Sequence, residues 1–141
     1  MIRFLTMIFA AALLWACNQQ PTPAPLVDAP APKVAIHILA ADDFEAALKA
    51  SLNHALLDLR PAADYECARL YKSVTMPCPD GNCDALWQGL GRESHLFLYC
   101  ANGYASTKTA KKMEEAGFSN ICVLQGGIIA WTTAGKMLTK L

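Results

Sequence analysis

Hydrophobic and polar residues follow two alternating patterns from residue 34 to the end of the chain. Short apolar runs, which are typical of buried strands, occupy residues 34–39, 55–59, 73–76, 96–99 and 120–124. Segments with helical spacing or helix-start residues lie between them, at residues 41–50, 61–67, 84–90, 106–116 and 126–133. Because strands alternate with helices, we predict the α/β class: a single domain with a mostly parallel sheet that is flanked by helices on both faces.

Three residues indicate where predicted helices begin or end. Pro61 suits the first turn of a helix, where its missing N–H costs nothing. Ser106 is a plausible N-cap, because its hydroxyl can accept from an unpaired N–H of the first turn. Gly117 suits the residue after a helix, where the backbone turns left-handed.

The first 16 residues resemble a bacterial secretion signal. Arg3 supplies a positive charge, and residues 4–15 form an apolar stretch that is shorter than the ~20 residues of a transmembrane helix. Ala16 followed by Cys17 resembles a lipobox, in which the cysteine is lipidated and becomes the mature N-terminus. We therefore expect a lipoprotein on the periplasmic side of a bacterial membrane. The alternative is an ordinary signal peptide cut near Ala16, with Cys17 a free thiol.

Residues 17–33 form a predicted linker between this anchor and the folded domain. Five prolines lie between residues 18 and 32, and they prevent a helix and favour extended backbone. Asn18, directly after Cys17, favours sorting to the outer membrane by resemblance to bacterial lipoproteins. The folded domain is then expected to occupy residues 34–141.

Charge and composition exclude one class of partner. The formal net charge is zero, with 12 basic and 12 acidic side chains, and no block of like charges is present. A nucleic-acid interface needs a basic patch, so we expect no nucleic-acid partner. No cofactor or metal site is expected either.

The strongest chemical candidate is Cys100, which directly follows an apolar strand. Ala101, Asn102, Gly103, Tyr104, Ala105 and Ser106 come after it, at the predicted start of a helix. A thiol in that position faces backbone N–H groups and the positive end of the helix dipole, which favour the nucleophilic thiolate. Arg60 follows a second strand, so it can share a site with Cys100 at the carboxyl edge of the sheet. His95 lies roughly 16 Å away along its strand, which disfavours a Cys–His pair.

Four motifs in this order resemble a rhodanese (sulfurtransferase) domain. They are residues 57–60 with Asp64-Tyr65, residues 73–77, residues 99–106, and Gln125-Gly126-Gly127 with Trp131 and Gly135. The resemblance implies that Cys100 takes sulfane sulfur from a donor such as thiosulfate and passes it to a thiol acceptor. The six-residue loop 100–105 resembles that of sulfurtransferases, whereas related phosphatases use seven residues.

The loop lacks the charged residues that rhodanese loops often carry. Family loops often carry Arg where this chain has Ala101 and Ala105. Anion binding would then fall to backbone N–H groups, with Arg60, Lys108 and Arg69 as candidate helpers. A weak or inactive rhodanese-like binding module is therefore an alternative, whereas phosphatase action is disfavoured because it needs a bidentate partner for phosphate.

The remaining cysteines leave several pairings open. Cys78 and Cys83 flank Pro-Asp-Gly-Asn, a sequence that favours a tight turn, and we expect a disulfide between them. The alternatives for this pair are a redox-active pair or a resolving thiol for a Cys100 persulfide. Thiol–disulfide exchange between Cys100 and another cysteine is a further alternative function for the chain. Cys67 and Cys122 are expected to be small buried side chains, or to pair with each other.

Overall fold

The computed structural model describes residues 35–140 of the 141-residue chain. The predicted signal, the proline-rich linker and Cys17 lie outside the described residues. Of the predicted domain 34–141, only its first and last residues fall outside that range.

A five-stranded sheet forms the centre of the described region. Its strands are β1 (Ala35–Leu39), β2 (His54–Asp58), β3 (Val74–Thr75), β4 (His95–Tyr99) and β5 (Asn120–Leu124). They lie in the order β1-β5-β4-β2-β3, and every neighbouring pair is parallel. The predicted α/β class is confirmed, and β4, which leads to Cys100, lies at the middle of the sheet.

Four helices connect these strands, and a fifth helix follows β5. They are α1 (Ala41–Ala50), α2 (Ala62–Cys67), α3 (Asp84–Trp87), α4 (Tyr104–Glu115) and α5 (Gly127–Thr133). Gly117 follows α4 at φ +88°, and the N–H of Phe118 donates to the carbonyl of Met113 at 3.0 Å, so the predicted helix end is confirmed. The predicted third helix was too long, because only four of its seven residues are helical.

Two apolar clusters cover the two faces of the sheet. On one face, side chains of α4 such as Ala110 and Met113 pack against β4 and β5. On the other, Phe44 of α1 and Trp131 of α5 meet edge to face at 6.4 Å. Both layers exclude water from the central strands and so hold the carboxyl end of β4 in a fixed position. Within residues 35–140, no helix is long and apolar enough to cross a membrane.

Cys67 corrects one prediction about the cysteines. It lies exposed at the end of α2, because α2 is a short surface helix with no buried residue. Cys122 is buried, as expected, and both thiols are free, so they do not pair with each other.

Candidate active site

Cys100 lies directly after β4, with its side chain inside the loop that leads to α4. Its Sγ accepts the backbone N–H of Gly103 at 3.1 Å and that of Ser106 at 3.5 Å. The Ser106 hydroxyl lies 3.4 Å from the same sulfur. Cys100 is only 3% exposed, so water contributes little to solvating the sulfur. These protein groups therefore act as the main solvent of a Cys100 anion.

The backbone of the loop turns at Gly103, which has φ +88°. This left-handed conformation brings the Gly103 N–H onto the sulfur, a geometry that side-chain-bearing residues rarely adopt. A Cβ at this position would also lie 2.9 Å from the backbone nitrogen of Gly126. Gly103 thus has two roles: it directs its N–H at the sulfur, and it lets the loop pack closely on the start of α5.

The prediction that Ser106 caps α4 was wrong. The helix begins two residues earlier, at Tyr104, with Gly103 as N-cap. Asn102 Oδ1 accepts the N–H of Tyr104 at 3.1 Å and so satisfies a donor of the first turn. Ser106 lies within that turn, where its N–H and hydroxyl face Cys100. Its role is thus at the sulfur rather than at the helix end.

The start of α5 holds the loop from outside. Ile128 donates its backbone N–H to the carbonyl of Cys100 at 2.9 Å, and Ile129 donates to the carbonyl of Ala101 at 3.2 Å. A Cβ on Gly127 would collide with the Cys100 carbonyl oxygen and would lie 2.6 Å from that of Ala101. The glycine pair 126–127 therefore lets one helix turn approach the loop backbone. Sequence reasoning noted these glycines as a motif but missed this function.

A pocket of about 240 Å³ opens above Cys100. Its lining comes from the loop and from the segments after two neighbouring strands: Leu59, Arg60, Pro61, Pro79, Cys100, Ala101, Asn102, Tyr104 and Ala105. A larger cavity of about 590 Å³ lies on the other side of the sheet, and its lining contains no cysteine. The smaller pocket is therefore the one suited to thiol chemistry.

Arg60 lines this pocket, but its guanidinium is bound elsewhere. Its Nε donates to Asp58 Oδ1 at 3.0 Å and its Nη2 donates to Oδ2 at 2.6 Å. Nη2 also donates to the carbonyl of Ala68 at 2.7 Å. Burial lowers the pKa of Arg60, but the hydrogen bonds and charge of Asp58 outweigh burial and raise it. Asp58 thus has a structural role, and the Arg60–Asp58 pair brings no net charge to the pocket.

Tyr99 completes this buried group. Its hydroxyl donates to Asp58 Oδ2 at 2.6 Å and accepts the N–H of Leu70 at 3.2 Å. Burial, together with the hydrogen bond to Asp58, raises the pKa of Tyr99 well above its ordinary value. A neutral phenol thus fixes the carboxylate that in turn fixes Arg60.

A family model of the rhodanese-like domain matches residues 40–134, well over half of the chain. The chain belongs to the rhodanese-like domain family. This agrees with the resemblance seen in the four sequence motifs.

Two curated relatives and one solved structure show how far the likeness extends. "Probable adenylyltransferase/sulfurtransferase MoeZ" of Mycobacterium tuberculosis is 30% identical over 77 residues, which cover 55% of this chain and 20% of that protein. "Adenylyltransferase and sulfurtransferase MOCS3-2" of Zea mays is 32% identical over 83 residues, which cover 55% of this chain and 17% of that protein. A rhodanese-related protein from Thermoplasma volcanium has a TM-score of 0.63 at 21% identity, covering 73% of this chain and 97% of that one. The chain thus spans at most a fifth of the length of these two curated relatives.

Lys108 and Arg69, the other two candidate anion-binding residues of this rhodanese-like site, bind groups outside the pocket. Lys108 Nζ donates to the carbonyl of Asp80 at 2.9 Å. The Arg69 guanidinium lies over the ring of Tyr65, 4.6 Å from its centroid. Neither side chain lines the pocket. Of the three candidate cations, the structure brings only Arg60 to Cys100.

The segment 78–83 contributes one residue, Pro79, to the wall of the pocket. Cys78 and Cys83 are joined by a disulfide, with Cα atoms 5.4 Å apart. Both are buried against α4, where Cys78 Sγ lies 3.5 Å from the hydroxyl of Thr109. Because the disulfide closes this short loop, it holds Pro79 at the pocket.

The histidines lie away from the pocket. His95, at the opposite end of β4, is 3.0 Å from Ser51 Oγ through Nδ1 and 3.7 Å from Cys122 Sγ through Nε2. Burial lowers the pKa of His95, and the nearby charges of His54 and His37 lower it further. No imidazole therefore assists Cys100, which agrees with the strand-length argument.

Proposed function

We propose that this rhodanese-like domain is a sulfurtransferase that carries a persulfide on Cys100. The observation that carries this proposal is the set of polar groups around Cys100 Sγ: the N–H groups of Gly103 and Ser106 donate to the sulfur, and the Ser106 hydroxyl lies 3.4 Å from it. Both curated relatives carry "sulfurtransferase" in their names. The same donors suit a thiolate before the reaction and a persulfide anion after it.

The transfer has two balanced steps. The Cys100 thiolate attacks the outer sulfur of a sulfane donor such as thiosulfate, the S–S bond of the donor breaks, and sulfite leaves with the electron pair. An acceptor thiolate then attacks the outer sulfur of the Cys100 persulfide, and Cys100 leaves as a thiolate again. No external oxidant or reductant is needed in either step.

Mass spectrometry tests the first step. The domain is incubated with thiosulfate or an alkyl persulfide, and a gain of one sulfur atom is expected on the peptide that contains Cys100. The Cys100→Ser variant is the control and should gain none at that peptide. If no sulfane donor modifies Cys100, the proposal is overturned.

The two alternative functions are a binding module without chemistry and thiol–disulfide exchange, and one observation bears on each. A binding module without chemistry is favoured by Ala101 and Ala105, which leave the loop uncharged. Thiol–disulfide exchange would need Cys100 to pair with another cysteine, whereas Cys100 is a free thiol and Cys78 pairs with Cys83. Counting thiols with and without reductant separates thiol–disulfide exchange from sulfur transfer and from a binding module. A Cys100 that is rapidly alkylated without reductant contradicts thiol–disulfide exchange.

We further propose that the domain is a lipoprotein, anchored through Cys17 on the periplasmic side of a bacterial membrane, with the outer membrane favoured. The support is the signal-like segment 1–16 and the lipobox-like Ala16-Cys17. Expression with a labelled fatty acid should label the full chain, and Cys17→Ala should abolish the label. Labelling of the Cys17→Ala variant would contradict the anchor.

A further inference from the structure

We propose that sulfur reaches Cys100 on an uncharged, apolar organic carrier, as an alkyl persulfide, rather than on an anionic carrier or as a small inorganic dianion. This inference rests on the proposed sulfur transfer and names its donor class. The argument comes from the charges that face the pocket and from the side chains that form its walls.

No unpaired cation faces Cys100 among the described residues that line the pocket. Arg60 is the only basic residue of the lining, and its charge is cancelled by the fully buried Asp58 at 2.6 Å. Lys108 contributes its alkyl chain to packing on Gly81, and its ammonium binds the Asp80 carbonyl. A donor that brings negative charge to this pocket therefore meets no side-chain charge to offset the loss of water.

The backbone donors of the loop already serve the reacting sulfur. The N–H groups of Gly103 and Ser106 both point at Cys100 Sγ. They supply partial positive charges that favour the anionic form of the reacting sulfur when it attacks. An anionic carrier would place a second negative charge close to the first, and the repulsion between them is strong in a partly desolvated site.

The walls of the pocket suit an apolar group instead. Leu59, Pro61 and Pro79 line the side away from the loop, and the Tyr104 ring lies at the rim with 70% of the residue exposed. Leu59 is already fully buried, so an alkyl carrier gains free energy by covering the exposed Pro61, Pro79 and Tyr104. Pro79 is held in the wall by the Cys78–Cys83 disulfide, so this apolar surface is a fixed part of the site.

The corresponding reaction needs no further reagent. The Cys100 thiolate attacks the outer sulfur of R–S–SH, the S–S bond of the donor breaks, and R–S⁻ leaves with the electron pair. Cys100 becomes Cys100–S–SH, with the proton retained on the transferred sulfur. One thiolate is consumed and one is formed, so charge and electrons balance.

A matched pair of donors tests the carrier charge. N-acetylcysteine persulfide and its methyl ester share the same sulfane group and differ by one carboxylate. The rate of sulfur gain on Cys100 is measured with each donor and with thiosulfate, and each rate is divided by that of a small free thiol with the same donor. We expect the ester to load Cys100 on the order of tenfold faster than the acid, with a ratio that shrinks as salt is added.

The outcomes distinguish the carrier preference from sulfur transfer itself. A normalised ratio near one, a faster acid, or thiosulfate as the fastest donor overturns the carrier preference while sulfur transfer stands. If no donor loads Cys100, sulfur transfer is overturned and the carrier preference falls with it.

Ala101 offers a matched pair of variants for the same test. Its side chain is exposed at the pocket, and its carbonyl, which binds Ile129, is unaffected by the side chain. Ala101→Arg adds a cation, and Ala101→Gln adds a similar length without charge. With the acid donor, we expect Cys100 to gain sulfur about fivefold faster in the arginine variant than in the glutamine variant. With the ester donor, the difference between the two variants should be smaller. Equal ester-to-acid ratios in the two variants would overturn the proposal.

Discussion

The backbone N–H of Ile128 donates to the carbonyl oxygen of Cys100 at 2.9 Å. This hydrogen bond turns the carbonyl of the nucleophile outward, toward the first turn of α5. The N–H groups of Gly103 and Ser106 point inward to the sulfur of the same residue. The orientation of the loop therefore depends on a helix that contributes no side chain to the pocket lining.

Gly127→Ala should disrupt this arrangement. Gly127 has φ +61°, and an added Cβ would collide with the Cys100 carbonyl oxygen and lie 2.6 Å from that of Ala101. Strain and overlap together should lower the free energy of unfolding by about 3 kcal/mol or more. Urea unfolding measures the loss, and the rate of sulfur gain on Cys100 should fall in the folded fraction as well.

Gly135→Ala is the matched control for that variant. Gly135 has φ +73°, but an added Cβ would meet no atom within 4 Å. Only the left-handed backbone is then penalised, at about 1 kcal/mol, and the Cys100 rate should not change. Equal losses of stability in the two variants would show that contact with the loop carbonyls is unimportant.

Ser106→Ala should slow the chemistry of Cys100 with a modest cost in stability. It removes a hydroxyl 3.4 Å from Cys100 Sγ but keeps the backbone N–H at 3.5 Å. The Ser106 hydroxyl donates to the Gly103 carbonyl at 3.2 Å, and its proton can turn to the sulfur when Cys100 is a thiolate. Its loss should therefore reduce the rate of alkylation by iodoacetamide roughly tenfold. The rate must be followed on the Cys100 peptide, because Cys67 and Cys122 are also free.

Thr107→Ala separates the sulfur contact from helix-start effects. The hydroxyls of Thr107 and Ser106 both donate to the carbonyl of Gly103, at 2.7 and 3.2 Å respectively. Thr107 makes no hydrogen bond to the sulfur. A Cys100 alkylation rate that falls equally in both variants would contradict a direct role for the Ser106 hydroxyl.

Removal of the Cys78–Cys83 disulfide should lower stability and loosen the pocket wall. A loop of this length gives about 2 kcal/mol in the chain-entropy account of disulfide stabilisation. The Cys78→Ala/Cys83→Ala double variant is compared with the wild type by urea unfolding. Cys67→Ala, which changes an exposed free thiol, should shift the free energy of unfolding by less than about 0.5 kcal/mol. A double variant as stable as wild type would contradict the structural role of the bridge.

The sequence predicted the fold and the position of the nucleophile because both follow from local patterns. Alternating apolar strands and helices give a parallel sheet, and a cysteine after a central strand then lies at its carboxyl edge. The turn at Gly103 was also foreseeable, since it needs a residue that tolerates positive φ.

Features that depend on distant contacts were not predictable in the same way. Asn102 and Gly103 start α4 instead of Ser106, and Ser106 then lies in the first turn, where its N–H donates to Cys100 Sγ. Arg60 is next to Cys100, as expected, but Asp58 and the Ala68 carbonyl occupy its guanidinium. These outcomes depend on which partner lies closest in the folded chain, and sequence spacing does not give that distance.

His95 should make the folded domain less stable as the pH falls below neutrality. Burial and then the charges of His54 and His37 lower the pKa of His95 in the folded state. The unfolded chain, with an ordinary histidine pKa of about 6.5, therefore binds a proton at residue 95 before the folded chain does. Since stability rises with pH where the unfolded state binds more protons, this contribution is fully present above about pH 6.5 and is lost below it. Urea midpoints between pH 8 and pH 5.5 should fall more for the wild type than for His95→Gln, and an NMR titration should find the imidazole of His95 half-protonated below its ordinary pKa. A His95 that titrates at or above the ordinary value, or equal pH dependence in the two proteins, would contradict this account of the amino end of β4.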